Sequence, residues 1–128
     1  VIADTSALLA VILGEPDAEV YLRAMAMSDS LGVSAATMTE ACIVAEACQG
    51  REAVSDLAAL LADLEAEIVP FDEEQADAAA MAWRRFGKGR HPAALNLGDT
   101  YSYALASVRG EPLLFKGDDF TATDISQA

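Results

Sequence analysis

The chain has 128 residues and a mass of 13.4 kDa, a length that fits a single domain over residues 1–128 and leaves no room for a second. Hydrophobic residues make up 53%, enough for a compact core and too many for a disordered acidic tail. Eight Lys+Arg against 21 Asp+Glu give a formal charge of −13, which excludes broad electrostatic wrapping of duplex nucleic acid but not a small site where a cation supplies the positive charge.

Val1-Ile2-Ala3 reads as a short strand ending at Asp4. Thr5 and Ser6 supply helix-starting hydroxyls for Ala7–Leu13, and Gly14 ends that helix. Pro16 suits the first turn of a second helix running to about Met27. Ser30–Ser34 is a short strand, Ala36–Cys48 a helix closed by Gly50, and Arg51–Glu65 an amphipathic helix. Glu67–Phe71 is a strand. Asp72–Phe86 is a helix opened by an Asp72/Gln75 capping box. Gly87–Leu97 is a loop of Gly, Pro and basic side chains, Gly98–Val108 a helix, and Pro112–Phe115 a final strand. Short apolar strands alternating with helices predict an α/β fold: a central parallel sheet, all its strands interior, with helices on both faces. Ligands bind such sheets beyond the carboxyl ends of the strands.

Cys42 and Cys48 lie six positions apart in a helix. That puts their backbones about 9 Å apart, beyond disulfide reach, and a reducing cytoplasm is the expected setting. No apolar run approaches the roughly 20 residues of a membrane span. The opening stretch carries Asp4 and no basic leader, so it is not read as a signal peptide.

The acids are not evenly spread. Asp4 follows the first strand, Glu40 lies early in the helix after the second, Asp99 opens the helix after the basic loop, and Asp118 and Asp119 follow the last strand. Right-handed crossovers bring these segments to one edge. Two like charges about 5 Å apart cost about 3 kcal/mol at an effective dielectric near 20. Such a cluster either holds protons or recruits a hard divalent cation, and Mg²⁺ suits it. Each acid also has an ordinary structural use. Thr37/Glu40 and Asn96/Asp99 have capping-box spacing, and Asp4 can cap the first helix.

The segment from Val1 to Leu8 (VIADTSAL) resembles the opening of PIN-domain proteins, particularly the VapC toxins of bacterial toxin–antitoxin pairs. Leu95 to Ala106 (LNLGDTYSYALA) is similar to their third acidic motif. Pro112 to Phe120 (PLLFKGDDF), followed by Thr123-Asp124-Ile125, is similar to their closing motif, and Ser34 to Glu40 matches the second motif more weakly. The set runs in order over nearly the whole chain. The resemblance implies a PIN-like ribonuclease dependent on Mg²⁺, or Mn²⁺ in its place, with Asp4, Glu40, Asp99 and an acid of the last loop as catalytic metal ligands. Many relatives place an acid where Gly117 stands here. This chain keeps Asp119, with Asp118 as a near substitute. The family also implies an RNA substrate, a VapB-like antitoxin partner and a homodimer.

Thr5 and Ser102 are placed to hydrogen-bond the carboxylates or water, Ser102 lying one helical turn after Asp99. Arg84, Arg85, Lys88 and Arg90 are half of the chain's eight cations within seven positions, on the segment leading to Asp99, and are candidates for contacting RNA phosphates. Lys116 and Arg109 are candidates for the rim. His91 reads as a loop hydrogen-bonder. Trp83, Phe86, Tyr101, Tyr103 and Phe115 are spaced for packing. Tyr21 with the apolar faces of Ala7–Leu13 and Val20–Met27 offers a groove for a partner helix. Three other readings compete. A phosphoacceptor receiver-type signalling module wants paired acids after the first strand, whereas Thr5 follows Asp4 here. A hydrolase using Cys42 and His91 would need a reactive thiol on an apolar helix. A non-catalytic binding domain would not need all four acids.

Overall fold

Ile2 and Ala3 alternate faces, as residues of a strand must, and that alternation divides the core. A computed structural model describes residues 1–128. Its elements in order are β1 (Ile2–Ala3), α1 (Thr5–Ile12), α2 (Ala18–Met27), β2 (Gly32–Ser34), α3 (Ala35–Gln49), α4 (Arg51–Asp63), β3 (Glu67–Val69), α5 (Glu73–Phe86), α6 (Leu97–Arg109) and β4 (Leu113–Leu114). The strands form one parallel sheet in the order β3-β2-β1-β4. Ile2 pairs with Leu113 and Ala3 with Leu114. Ile2 and Leu113 pack with Phe86, Leu105, Phe115 and Phe120 beneath α5 and α6. Ala3 and Leu114 pack with Leu8, Val33, Leu57 and Leu61 on the opposite face, against α1, α3 and α4. The sheet is thus covered on both sides, as the apolar strands predict. No helix is long and apolar enough to cross a membrane.

The strands are not all interior. β3 is an edge strand whose Glu67 and Ile68 are exposed, and a charged residue on an open edge discourages pairing with another chain. At the other edge the tail covers β4: Leu113 N–H donates to Ser126 O, and Ala128 N–H to Leu113 O. The second helix starts at Ala18, so Pro16 lies in the turn before it. Asp72 caps α5 by accepting from Gln75 N–H, but Gln75 turns its amide to Pro70 O, so only half of that capping box forms. Gly110 stops α6 in the left-handed region, φ 64°, where glycine carries no steric penalty.

Chain order runs from β1 through β2 to β3 on one side and then crosses to β4 on the other. The direction of winding reverses beside β1, and a crevice opens at such a point beyond the carboxyl ends. Asp4 is the next residue after β1. Helices α3 and α6 both begin at this edge, α3 directly from β2 and α6 because it returns antiparallel to the strands.

Candidate active site

Asp4 follows β1 and caps α1 in extended backbone. It is only 3% exposed, so both oxygens need partners. Oδ2 accepts from Ser6 N–H at 3.0 Å and from Ser6 Oγ at 2.6 Å. Oδ1 accepts from Ser102 Oγ at 2.5 Å, across 98 residues of sequence. Ser6 Oγ in turn accepts from Lys116 N–H at 2.9 Å, which ties the segment after β4 to the carboxylate of β1. The helix-cap use of Asp4 and its place in an acidic cluster are both realised. Its preorganisation rests on hydroxyls from two helices.

Glu40 does not form a capping box with Thr37, because α3 is capped by Ser34, whose side chain accepts from Ala36 N–H. Freed from that use, the half-buried Glu40 carboxylate accepts from Thr5 Oγ1 at 2.5 Å. Asp99 does both jobs. Its Oδ2 accepts from Asn96 N–H at 3.0 Å while Asn96 Oδ1 accepts from Asp99 N–H at 2.9 Å, a complete capping box. Burial raises the Asp99 pKa from the ordinary 3.8 to about 7. The Asn96 hydrogen bond opposes this, and the neighbouring charges of Asp4, Asp119 and Glu40 add to it. Four of the five acids singled out in the sequence, Asp4, Glu40, Asp99 and Asp119, therefore share one field at the carboxyl edge. Asp119 reaches Asp99 electrostatically; Asp118 is not among the charges acting on it and points its carbonyl to Thr121.

The loop carrying Asp119 is fastened at both ends. Lys116 is paired with Glu15 and Asp17 from the α1–α2 turn, which raises its pKa. Asp124 accepts from Tyr103 Oη at 2.5 Å and from Arg85 at 3.2 Å, and its pKa is lowered, first by the Tyr103 hydrogen bond. Burial and Asp124 push the Tyr103 phenol up to about 12. Phe120, 2% exposed, anchors the middle of the loop against Phe115.

These pairings correct part of the basic-rim expectation. Lys116 is occupied by Glu15 and Asp17, and Arg109 forms a two-pronged pair with Glu67 at the far side of the sheet. Arg85 is engaged by Asp124. Arg84, Lys88 and Arg90 have no carboxylate partner. Arg90 lies over the Trp83 ring at 4.7 Å, and Trp83 is 45% exposed rather than packed inside. His91 Nδ1 accepts from Ala93 N–H within the loop. Ser6 and Gly98 escaped the sequence reading. Ser6 follows a cap residue by two, the spacing of a local side-chain cap. Gly98 is a glycine inside a helical turn with no conformational need for one, a mark of close approach by another group.

The donor set suits a divalent cation. Four carboxylates, two of them buried, with the Asp99 pKa raised by burial and by its neighbours, offer hard oxygens that positive charge would relieve. No three of the side chains close on one point by themselves, and Mg²⁺ does not require it: it takes one or two carboxylates and keeps waters. Ser102→Ala tests the preorganisation. It strips a donor from buried Asp4 Oδ1, so urea denaturation should show a loss of about 1–3 kcal/mol with an unchanged m-value. An unaltered midpoint would mean that this contact does not order Asp4.

A family model described as PIN domain matches residues 1–126. The chain is 46% identical over 125 residues to a ribonuclease VapC of Mycolicibacterium smegmatis, covering 98% of this chain and 97% of that one. It is 47% identical over 128 residues to ribonuclease VapC42 of Mycobacterium tuberculosis, covering 99% and 98%. Among solved structures, VapC20 of Mycobacterium tuberculosis, described as a sarcin-ricin loop cleaving toxin, superposes with a TM-score of 0.80 at 16% identity, over 99% of this chain and 97% of that one. VapBC2 of Rickettsia felis, bound to a promoter DNA fragment, gives 0.76 at 14% identity, over 98% and 94%. The two structures share this fold.

Proposed function

The chain belongs to the PIN domain family, and from that premise we propose that it is a divalent-cation-dependent endoribonuclease, the toxin of a toxin–antitoxin pair, acting at Asp4, Glu40, Asp99 and Asp119. One observation carries the reading: the buried Asp99 carboxyl lies in the combined field of Asp4, Asp119 and Glu40, drawn from four separate segments. A receiver-type phosphoacceptor is not favoured. Its lysine would be Lys116, which Glu15 and Asp17 already hold. A purely binding role gives no reason to collect four like charges against their repulsion.

Asp4 and Asp99 would hold Mg²⁺ or Mn²⁺ most directly, with Glu40 and Asp119 completing the cup. A bound cation supplies charge neutralisation at the phosphate and a more acidic water. The chain's own side chains do the rest. Ser6 and Ser102 fix the Asp4 oxygens, Thr5 fixes Glu40, and Asn96 fixes Asp99, so little reorganisation is needed when substrate arrives. Arg84, Lys88 and Arg90, free of carboxylates, are cations available to RNA phosphates. The test is purified protein on structured RNA with Mg²⁺, with Mn²⁺ and with chelator. Cleavage with either ion and none with chelator is expected; cleavage unaffected by chelation contradicts it.

Two protein partners follow. A VapB-like antitoxin helix fits the groove formed by Val20, Ala24 and Met27 of α2 with Pro16 of the preceding turn, where Val20 and Met27 are 67% and 78% exposed. A second copy fits a further apolar surface, where Ile43 and Leu97 are 64% and 68% exposed beside Glu40 and Gly98. Leu97→Glu should convert a dimer to a monomer by light scattering; a dimer that survives the change would place the contact elsewhere.

A further inference from the structure

Gly98 is the second helical residue of α6, between Leu97 and Asp99. It is buried, and its backbone is not in the left-handed region. Glycine weakens a helix, and here no dihedral angle calls for it. Space does. A Cβ built on Gly98 would collide with Glu40 Oε2 and stand 2.5 Å from its Cδ and 2.6 Å from its Oε1. All three contacts are the carboxylate of one side chain, and none is backbone. A methyl group would therefore evict the carboxylate and leave the helix in place. On its other side the same carboxylate is held by Thr5 Oγ1.

We propose that Gly98 is a positioning residue: its bare Cα is the seat that lets the Glu40 carboxylate lie against the first turn of α6 beside Asp99. This rests on the reading of the four acids as a cation cup, and it assigns the glycine before Asp99 a role that acts entirely through Glu40. Because the clash involves only the flexible end of a side chain, Gly98→Ala should separate function from stability. Loss of folding would not mimic this pattern.

The experiment is Mn²⁺ titration by calorimetry on the intact protein, with melting in chelator alongside. Gly98→Ala should melt no lower than the parent and bind Mn²⁺ about tenfold more weakly, the scale of losing one supporting interaction at a metal site. In a Glu40→Ala background the same change should cost nothing further. Glu40→Asp, one methylene shorter, should restore part of the affinity lost in Gly98→Ala. Unchanged Mn²⁺ affinity in Gly98→Ala overturns the assignment, and so does an equal loss with and without Glu40. If the parent itself takes up no Mn²⁺ and cleaves no RNA, it is the cation-cup reading that fails. A parent that binds and cleaves while Gly98→Ala matches it defeats only the role of Gly98.

Discussion

Asp99→Asn should lower the single-turnover rate of RNA cleavage on the order of 10³-fold, equivalent to about 4 kcal/mol of barrier, while raising the melting temperature of the metal-free protein above pH 7. The two effects have one cause. The amide oxygen introduced by this change can still accept the Asn96 N–H bond that completes the α6 capping box, so the helix start survives. What is removed is a buried charge in the field of Asp4, Asp119 and Glu40. Without a cation that charge is a liability; on the proposed reading a bound cation would turn it into a ligand. Asp4→Asn makes an instructive contrast. Both Asp4 oxygens accept, from Ser6 on one side and Ser102 on the other, and an amide presents only one acceptor oxygen. Asp4→Asn should therefore lose stability as well as activity. An Asp99→Asn protein that cleaves RNA within tenfold of the parent would remove the cup from the chemistry.

The second large effect is linkage between protons, cations and stability. In the folded chain Asp99 holds its proton to about pH 7, against an ordinary 3.8. Between those values the folded state binds a proton that the unfolded state has released. Stability from this group is full below about pH 4 and is lost as pH rises through 7. The metal-free protein should therefore melt progressively lower from about pH 4.5 to 8, a slope that Asp99→Asn should flatten. Asp124, Asp17 and Glu67 have lowered values and act with the opposite sign, but below their ordinary values of 3.8, 3.8 and 4.5, at the acid edge of this window. At pH 8 a divalent cation at a hundred times its dissociation constant should add about 2.7 kcal/mol, roughly 10 °C in melting temperature for a domain of this size. A melting temperature that rises with pH in chelator, or ignores the cation at pH 8, would contradict this.

Much of the candidate site's geometry was legible because its determinants are local. An acid directly after an apolar strand must lie at the carboxyl edge of a parallel sheet, and Asp4 does. Asn96 and Asp99 have the spacing of a reciprocal cap and form one. Thr5 and Ser102 reach the carboxylates that their positions suggested, and four of the five acids share one field. The failures are of two kinds, long-range pairing and local competition. Nothing near Lys116 in sequence shows that Glu15 and Asp17 will capture it from about a hundred residues away, and Arg109 is taken by Glu67 in the same manner. Trp83 sits next to the buried Ala82 but off the face defined by Gln75, Ala79, Ala82 and Phe86, so its aromatic character misled where its helical position would not have. Gln75 had the spacing for a cap and used its amide elsewhere, because Pro70 O offered an acceptor. The glycine before Asp99 acquired meaning only once Glu40 was seen against it.

The most direct test of the central claim is cation binding measured together with proton release. Calorimetric titration of the metal-free protein with Mn²⁺ at pH 7, repeated in two buffers of different ionisation heat, should show saturable uptake with release of a fraction of a proton from Asp99. Asp99→Asn should show weakened uptake and no proton release from that position. A folded parent protein that takes up no Mn²⁺ at millimolar concentration, or binds it with no proton change in either variant, would mean that these four carboxylates do not form one site.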